Sequence, residues 1–248
     1  MNIGIIGFGS LGRALAAGLV TSGTSVGDIT VCDNSLNARI HSENEFCVRA
    51  YEDVNAVISS SDIIFLTVKG HVFEELSEII DRRALEGKSV VSFMAGVQFD
   101  KIHSLIGDVA LVRAMPSLAI AECDGVIGYT TAPAEVVQIL SRLGYAFETE
   151  PENIEKVMAF SSCGLGFAAY LIDAFAAAGA TMGFSPETSA QVAAMTFRNA
   201  VERGNYRNTV LDVATPGGAT EQGIHHMDEN HVYGIVADAV RKAYERMT

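Results

Sequence analysis

Positive charge is scarce in this chain. Seventeen Lys and Arg stand against 30 Asp and Glu, a formal net charge of −13. A field of that sign repels a phosphate backbone and an anionic bilayer surface, so neither nucleic acid nor a membrane is expected as a partner. Cysteine is sparse too. The 4 thiols, Cys32, Cys47, Cys123 and Cys163, include no C-x-x-C pair, which removes the usual signatures of zinc binding and dithiol redox chemistry and leaves buried thiols. His225, His226 and His231 have no cysteine or carboxylate set at metal spacing beside them. No metal is therefore expected, and these histidines read as helix-surface or interface residues. The amino terminus lacks the basic segment, apolar run and cleavage site of a secretory signal, which points to the cytoplasm. Internal repeats and low-complexity tracts are also missing. Charge itself is absent from one long stretch: between Val157 and Pro186 only Asp173 is charged. The length would cross a bilayer. Asp173 near its middle, with Gly164, Gly166, Gly179 and Gly183, predicts a helix buried in protein instead.

What is present is the composition of a packed enzyme: 49% hydrophobic, 19% charged and 23 glycines along 248 residues. The chain is long enough for one large domain or two modest ones. Up to about Pro151, short β-rich apolar runs alternate with amphipathic segments, the pattern of βαβ units on a parallel sheet. Asn2–Ile6, Ile29–Cys32, Ile63–Val68, Ser89–Phe93, Ala110–Arg113 and Val126–Thr130 have the length and branching of buried strands, and Tyr145–Glu148 suits an edge strand. Between them Leu11–Ser22, His71–Ile80, Phe99–Ile106 and Ala134–Leu143 carry apolar residues at helical spacing. After Pro151 the pattern becomes Ala-, Met- and Gly-rich and helical. One segment ends near Gly179, a second runs from Pro186 to Arg203, and a third ends at the carboxyl terminus, with the Thr215–Gly223 loop breaking the region. The fold class predicted is α/β: a Rossmann doubly wound parallel sheet over residues 1–151, then an all-α domain over 152–248. So apolar a helical unit is expected to bury one face against a second copy of itself.

The sharpest local signal is Gly7-x-Gly9-x-x-Gly12, which follows a predicted strand and opens a predicted helix. A lone pattern of this kind is weak, but here its context is right. Gly7 allows the tight turn, Gly9 lets the backbone approach a pyrophosphate, and Gly12 lets the helix pack close to the sheet. Phe8, Ser10 and Leu11 complete the turn, whose amides face the phosphates. Asp33 ends the second strand about 20 residues further on, where a carboxylate accepts hydrogen bonds from a ribose 2′-OH and repels a 2′-phosphate. Asn34, Ser35 and Arg39 follow and would accommodate a phosphate if Asp33 turned away, so NAD and NADP both stay open. The strand tips Thr67-Val68-Lys69 and Met94-Ala95-Gly96 should line the crevice at the carboxyl edge of the sheet, around the nicotinamide ribose and ring.

Several motifs then read together: Val68-Lys69-Gly70-His71, Arg113-Ala114-Met115-Pro116-Ser117, the glycine-rich Ser162–Tyr170 segment, Asp173-Ala174 with Ala178-Gly179 and Met182-Gly183, and Thr215-Pro216-Gly217-Gly218-Ala219-Thr220. In order and approximate spacing they resemble the pyrroline-5-carboxylate reductase family, over nearly the whole chain. The resemblance implies reduction of 1-pyrroline-5-carboxylate to L-proline by hydride transfer from NAD(P)H. It also implies a helical domain that pairs with a second subunit to form the active-site cleft. Thr215, Gly217, Gly218, Ala219 and Thr220 would bind substrate: successive amides with glycine freedom make an anion-binding concavity for its carboxylate. Thr220, placed near the ring nitrogen, would be the catalytic residue. The chain departs from the family wording at Gly70, Ser117-Leu118-Ala119, Cys163–Leu165 and Thr215, all in the expected cleft.

Two other readings remain open on the residues alone. One is a related NAD(P)-dependent imine or β-hydroxy acid oxidoreductase. Such enzymes rely on a helical lysine, and Lys156, beside the domain junction, is the only lysine between residues 102 and 241. The other is a reductase-like regulatory protein that keeps the cofactor site.

Overall fold

The computed structural model describes residues 1–247. The strands β1 (Ile3–Ile6), β2 (Ile29–Cys32), β4 (Ile63–Leu66) and β5 (Ser89–Ser92) are buried at every position. Their sequences therefore run apolar without alternation, as strands covered on both faces do. With β3 (Arg49–Tyr51), β6 (Ala110–Pro116), β7 (Gly125–Tyr129) and β8 (Gly144–Glu148) they form an eight-stranded sheet ordered β3-β2-β1-β4-β5-β6-β7-β8. Ile3 of β1 stands opposite Ile29 on one side and Ile63 on the other, both in parallel register. The chain thus winds outward through β2 and β3, then returns to the far side of β1. That reversal opens a crevice at the carboxyl ends of β1 and β4.

Period-two alternation sends neighbouring side chains to opposite faces. Ile5 and Phe65 join one core with Leu15 and Leu19 of α1 (Ser10–Thr21) and Val136, Ile139 and Leu140 of α6 (Ala134–Arg142). Ile6, Ile64 and Leu66 join the other, against Val57 and Ile58 of α3 (Val54–Ser60), Phe73 of α4 (Gly70–Ser77) and Ile102 and Ile106 of α5 (Phe99–Ile106). Helices on both faces make the sheet doubly wound, as the sequence predicts.

Several details differ from the sequence reading. β3 and the helices α2 (Leu36–Phe46) and α3 are not among the predicted elements. β3 has only three residues, none buried, and α2 buries only Ser42, so neither carries a periodic apolar signal. β7 runs antiparallel to β6, with Ala114 opposite Tyr129, although it pairs parallel with β8. Only the short 3₁₀ turn Leu118–Glu122 joins β6 to β7, too little chain for the crossover that a parallel pair needs.

The sequence reading starts the helical domain at residue 152, but the compact units divide between Ser162 and Cys163; the first also takes in residues 244–247. The turn α7 (Ile154–Val157) stays with the first unit because Ile154 and Val157 are buried with Met115. A π-helical turn, Met158–Ser162, follows, and Ser162 Oγ donates to the Pro116 carbonyl at 2.9 Å.

The second unit, Cys163–Ala243, is built from α8 (Cys163–Thr181), α9 (Pro186–Arg203), α10 (Tyr206–Val213), α11 (Ala219–Glu229) and α12 (Val232–Glu245). α8 and α9 pack together, with the rings of Phe175 and Phe197 meeting edge to face at 5.8 Å. α10 is not among the predicted segments, α11 begins at Ala219 within the predicted Thr215–Gly223 loop, and the third predicted segment is two helices, separated at His231, whose φ is 54°. Burial in protein, predicted for the uncharged stretch, is confined within one chain to Val157 and Ala159. α8 has no buried residue, and the only described residues of this unit that are buried are Ser189 and Ala193. Within Pro151–Thr181 an 18-residue window reaches a mean hydropathy of 1.5.

Candidate active site

The glycine turn forms between β1 and α1. Gly7 sits at φ +99°, a conformation that L side chains rarely adopt, and its N–H donates to the Cys32 carbonyl at 2.8 Å. A Cβ on Gly12 would run into the Gly7 carbonyl oxygen, so α1 can start this close to β1 only with glycine there. At Gly9 a Cβ would meet nothing within 4 Å. That open backbone lies at the N-cap of α1, which has no side-chain cap and no acidic residue in its first turn. The first intrahelical bond is Arg13 N–H to Gly9 O at 3.0 Å, leaving the amides of Ser10, Leu11 and Gly12 outside the helix ladder. Unpaired amides, a positive helix end and an unobstructed approach are what a dinucleotide pyrophosphate requires, so these residues fit the predicted cofactor. Phe8 contributes its backbone only. Its side chain is buried in the core and its ring meets Phe46 at 5.9 Å.

Thr67 at the end of β4 braces the same turn, donating from Oγ1 to the carbonyls of Ile6 (3.0 Å) and Gly7 (2.6 Å). Val68 lies against Gly7, and Lys69 is exposed at the N-cap of α4. Beyond β5, Ala95 and Gly96 are exposed, whereas the Met94 side chain is buried in the second core and offers only its backbone. The fold therefore gathers all of the predicted cofactor residues at the carboxyl edge of β1, β2, β4 and β5.

Asp33 is tied into this edge. Its Oδ2 accepts from the Phe8 amide at 2.7 Å and its Oδ1 from the Ser35 amide at 2.8 Å. Arg39 Nη1 donates to the carbonyls of Asp33 and Asn34, at 2.8 and 3.1 Å, and Nη2 pairs with Glu52 Oε2 at 3.0 Å. Glu52 was missed by the sequence reading along with β3, the strand it follows. Buried Cys32 reports the local field: its thiol is pushed up to about 11, first by burial and then by Asp33, Asp53 and Glu52, with Arg39 acting the other way.

Behind the β5 tip, Arg113 is fully buried. Its guanidinium meets Glu155 Oε1 at 2.5 Å and Gln98 Oε1 at 3.0 Å, which makes it a structural pair.

In the second unit, Gly217 sits at φ +73° and Gly218 is the N-cap of α11. The Gly218 amide donates to the Thr215 carbonyl at 2.8 Å, which closes the turn. Ala219 and Thr220 are exposed in the first turn of the helix. Glu221, which the sequence reading did not single out, reaches back so that its Oε2 accepts from the Gly217 amide at 2.7 Å. A carboxylate oxygen thus already occupies one amide of the predicted carboxylate cradle. Among the described residues no group of three or more potential metal ligands occurs, and His225 and His226 are exposed on α11.

Residues 151–248 match the model of the pyrroline-5-carboxylate reductase dimerisation domain, and residues 2–96 match that of coenzyme F420-dependent NADP oxidoreductases. Among curated proteins, the chain is 26% identical to pyrroline-5-carboxylate reductase of Aquifex aeolicus, covering 99% of this chain and 96% of that one. It is 29% identical to the Escherichia coli enzyme of the same name, at 99% and 96% coverage. Among solved structures, the pyrroline carboxylate reductase of Plasmodium falciparum with NADP bound superposes with a TM-score of 0.90 at 21% identity, over 100% of this chain and 97% of that one. A pyrroline-5-carboxylate reductase from Coxiella burnetii gives 0.86 at 24% identity, over 99% and 97%.

Proposed function

We propose, from its similarity to pyrroline-5-carboxylate reductases over nearly the whole chain, that this chain is one of them and reduces 1-pyrroline-5-carboxylate to L-proline, a step of proline biosynthesis, with NADH or NADPH as donor. The observation that carries the reading is the turn before α11, where a positive-φ glycine presents its amide and a carboxylate oxygen already sits 2.7 Å away on it. Backbone that holds the Glu221 carboxylate has the donors to hold a substrate carboxylate once that side chain moves aside. The amides of Ala219 and Thr220, at the positive end of α11, extend the same cradle.

The reduced nicotinamide, when bound, supplies the hydride for the C=N carbon. What remains for the protein is placement. Gly7–Gly12 hold the pyrophosphate, the tips Thr67–Lys69 and Met94–Gly96 line the nicotinamide end, and the amides of Gly217, Ala219 and Thr220 fix the ring by its carboxylate, while the Gly218 amide closes the turn on the Thr215 carbonyl. The ring imine enters protonated, so addition of one hydride yields the secondary amine without a strong acid. Thr220 then orients the nitrogen through its hydroxyl.

The working unit in this reading is a cytoplasmic homodimer. A helical unit in which Ala193 is the only buried hydrophobic residue described cannot offset its own conformational entropy. A second copy laid on α8 would cover Leu165, Tyr170 and Leu171, each exposed in the single chain.

The test is steady-state reduction of pyrroline-5-carboxylate by the wild type and by Thr220→Val. The variant should lose about tenfold or more in turnover, the scale of one hydrogen bond to a charged group, while binding NAD(P)H as before. Unchanged turnover would remove Thr220 from its assigned role. A wild type that binds the nucleotide but turns over no imine would favour the regulatory reading.

A further inference from the structure

We propose that the ribose end of the cofactor site selects NADH over NADPH, through the carboxylates of Asp33, Glu52 and Asp53 and the prior engagement of Arg39. The inference rests on the dinucleotide reading of the glycine turn and is independent of the imine substrate.

A 2′-phosphate could be admitted at the tip of β2 only if Asp33 swung away and Arg39 turned toward the ligand. The structure opposes both movements. Asp33 accepts a backbone amide on each oxygen, Phe8 N–H at 2.7 Å and Ser35 N–H at 2.8 Å. Releasing it would strip the glycine turn of the bond at Phe8, inside the element that grips the pyrophosphate. Each carboxylate oxygen still has a lone pair to spare, so a ribose 2′-OH can donate to Asp33 where it stands.

Arg39 is held as firmly. Nη1 spends both of its N–H groups on the carbonyls of Asp33 and Asn34, and Nη2 pairs with Glu52 at 3.0 Å. Its side chain is 16% exposed, so the charge is directed into this network rather than outward. Counting formal charges at the ends of β2 and β3, one cation faces three anions. A 2′-phosphate brings nearly two further negative charges into that field. Burial is the main cause of the raised Cys32 thiol, and the surrounding charges act on it in the same sense as on a phosphate, with Asp33, Asp53 and Glu52 raising it and Arg39 opposing them. Glu52 is the less obvious determinant. It follows β3 rather than β2, and it converts the nearest cation from a phosphate ligand into half of an ion pair.

The experiment is calorimetric titration of the full-length protein with NADH and with NADPH, for the wild type and for Glu52→Gln. Glu52 is exposed, so the substitution should leave the fold intact, which circular dichroism checks. NADH should bind the wild type at least about tenfold more tightly than NADPH, equal to about 1.4 kcal/mol. Glu52→Gln should narrow that ratio severalfold, mainly by improving NADPH. Equal or tighter NADPH binding by the wild type would overturn the inference while leaving the dinucleotide reading in place. A ratio unchanged in Glu52→Gln would remove Glu52 from the mechanism of selection. Failure to bind either nucleotide would overturn the dinucleotide reading as well.

Discussion

Arg113 shows how much one residue can weigh. The guanidinium is fully buried and its main counter-charge, Glu155, is nearly so. Removing one partner of a buried pair strands the other charge in a medium that solvates it poorly. Glu155→Ala should therefore cost about 3–5 kcal/mol, read as a lower urea midpoint. Arg113→Met combined with Glu155→Leu should cost clearly less, because no charge is left behind; equal losses would show that the pair is not the source of the effect. The legibility of individual residues follows the same physics. Gly7, Gly9 and Gly12 could be placed from sequence because their requirement is local: a turn, a close approach, a helix start. Glu52 could not, because its meaning depends on Arg39 reaching it across from α2. Met94 and Phe8 were predicted at the site, and the fold puts their backbones there while their side chains serve the cores.

At the scale of elements, the strands buried on both faces were legible as continuous apolar runs, and α9 is found where the sequence predicts it, from Pro186 to Arg203. Its start carries its own signals: Ser185 accepts from the Thr188 amide at 3.1 Å, and Pro186 opens the helix. β3 and α2 bury too little to leave a pattern, and the antiparallel β7 follows from a connection length that composition does not disclose. The turn before α11 was visible as Thr-Pro-Gly-Gly-Ala-Thr, yet the return of Glu221 onto Gly217 depends on the +73° φ of that glycine. This contact yields a prediction about the element. If Glu221 competes with the substrate carboxylate, Glu221→Gln should lower KM for pyrroline-5-carboxylate by about tenfold or less, the scale of one exposed charged contact, with kcat nearly unchanged. A raised KM would mean instead that Glu221 supports the cradle.

For the whole molecule, the division into a sheet unit and a helical unit was legible from the change of pattern near Pro151, although the compact boundary lies later, at Ser162 and Cys163. The sheet unit carries both buried cores. The helical unit, with its exposed apolar α8, lies within the stretch that matches the model of the pyrroline-5-carboxylate reductase dimerisation domain. The central claim of the proposed function is transfer of hydride from the nucleotide to the imine. The most direct measurement is isotopic: incubate the protein with pyrroline-5-carboxylate and NADH deuterated at both C4 positions, then analyse the product by mass spectrometry and NMR. The account predicts L-proline with one deuterium, on the ring carbon next to nitrogen that does not bear the carboxylate. Proline without deuterium, or no proline despite bound nucleotide, would contradict it.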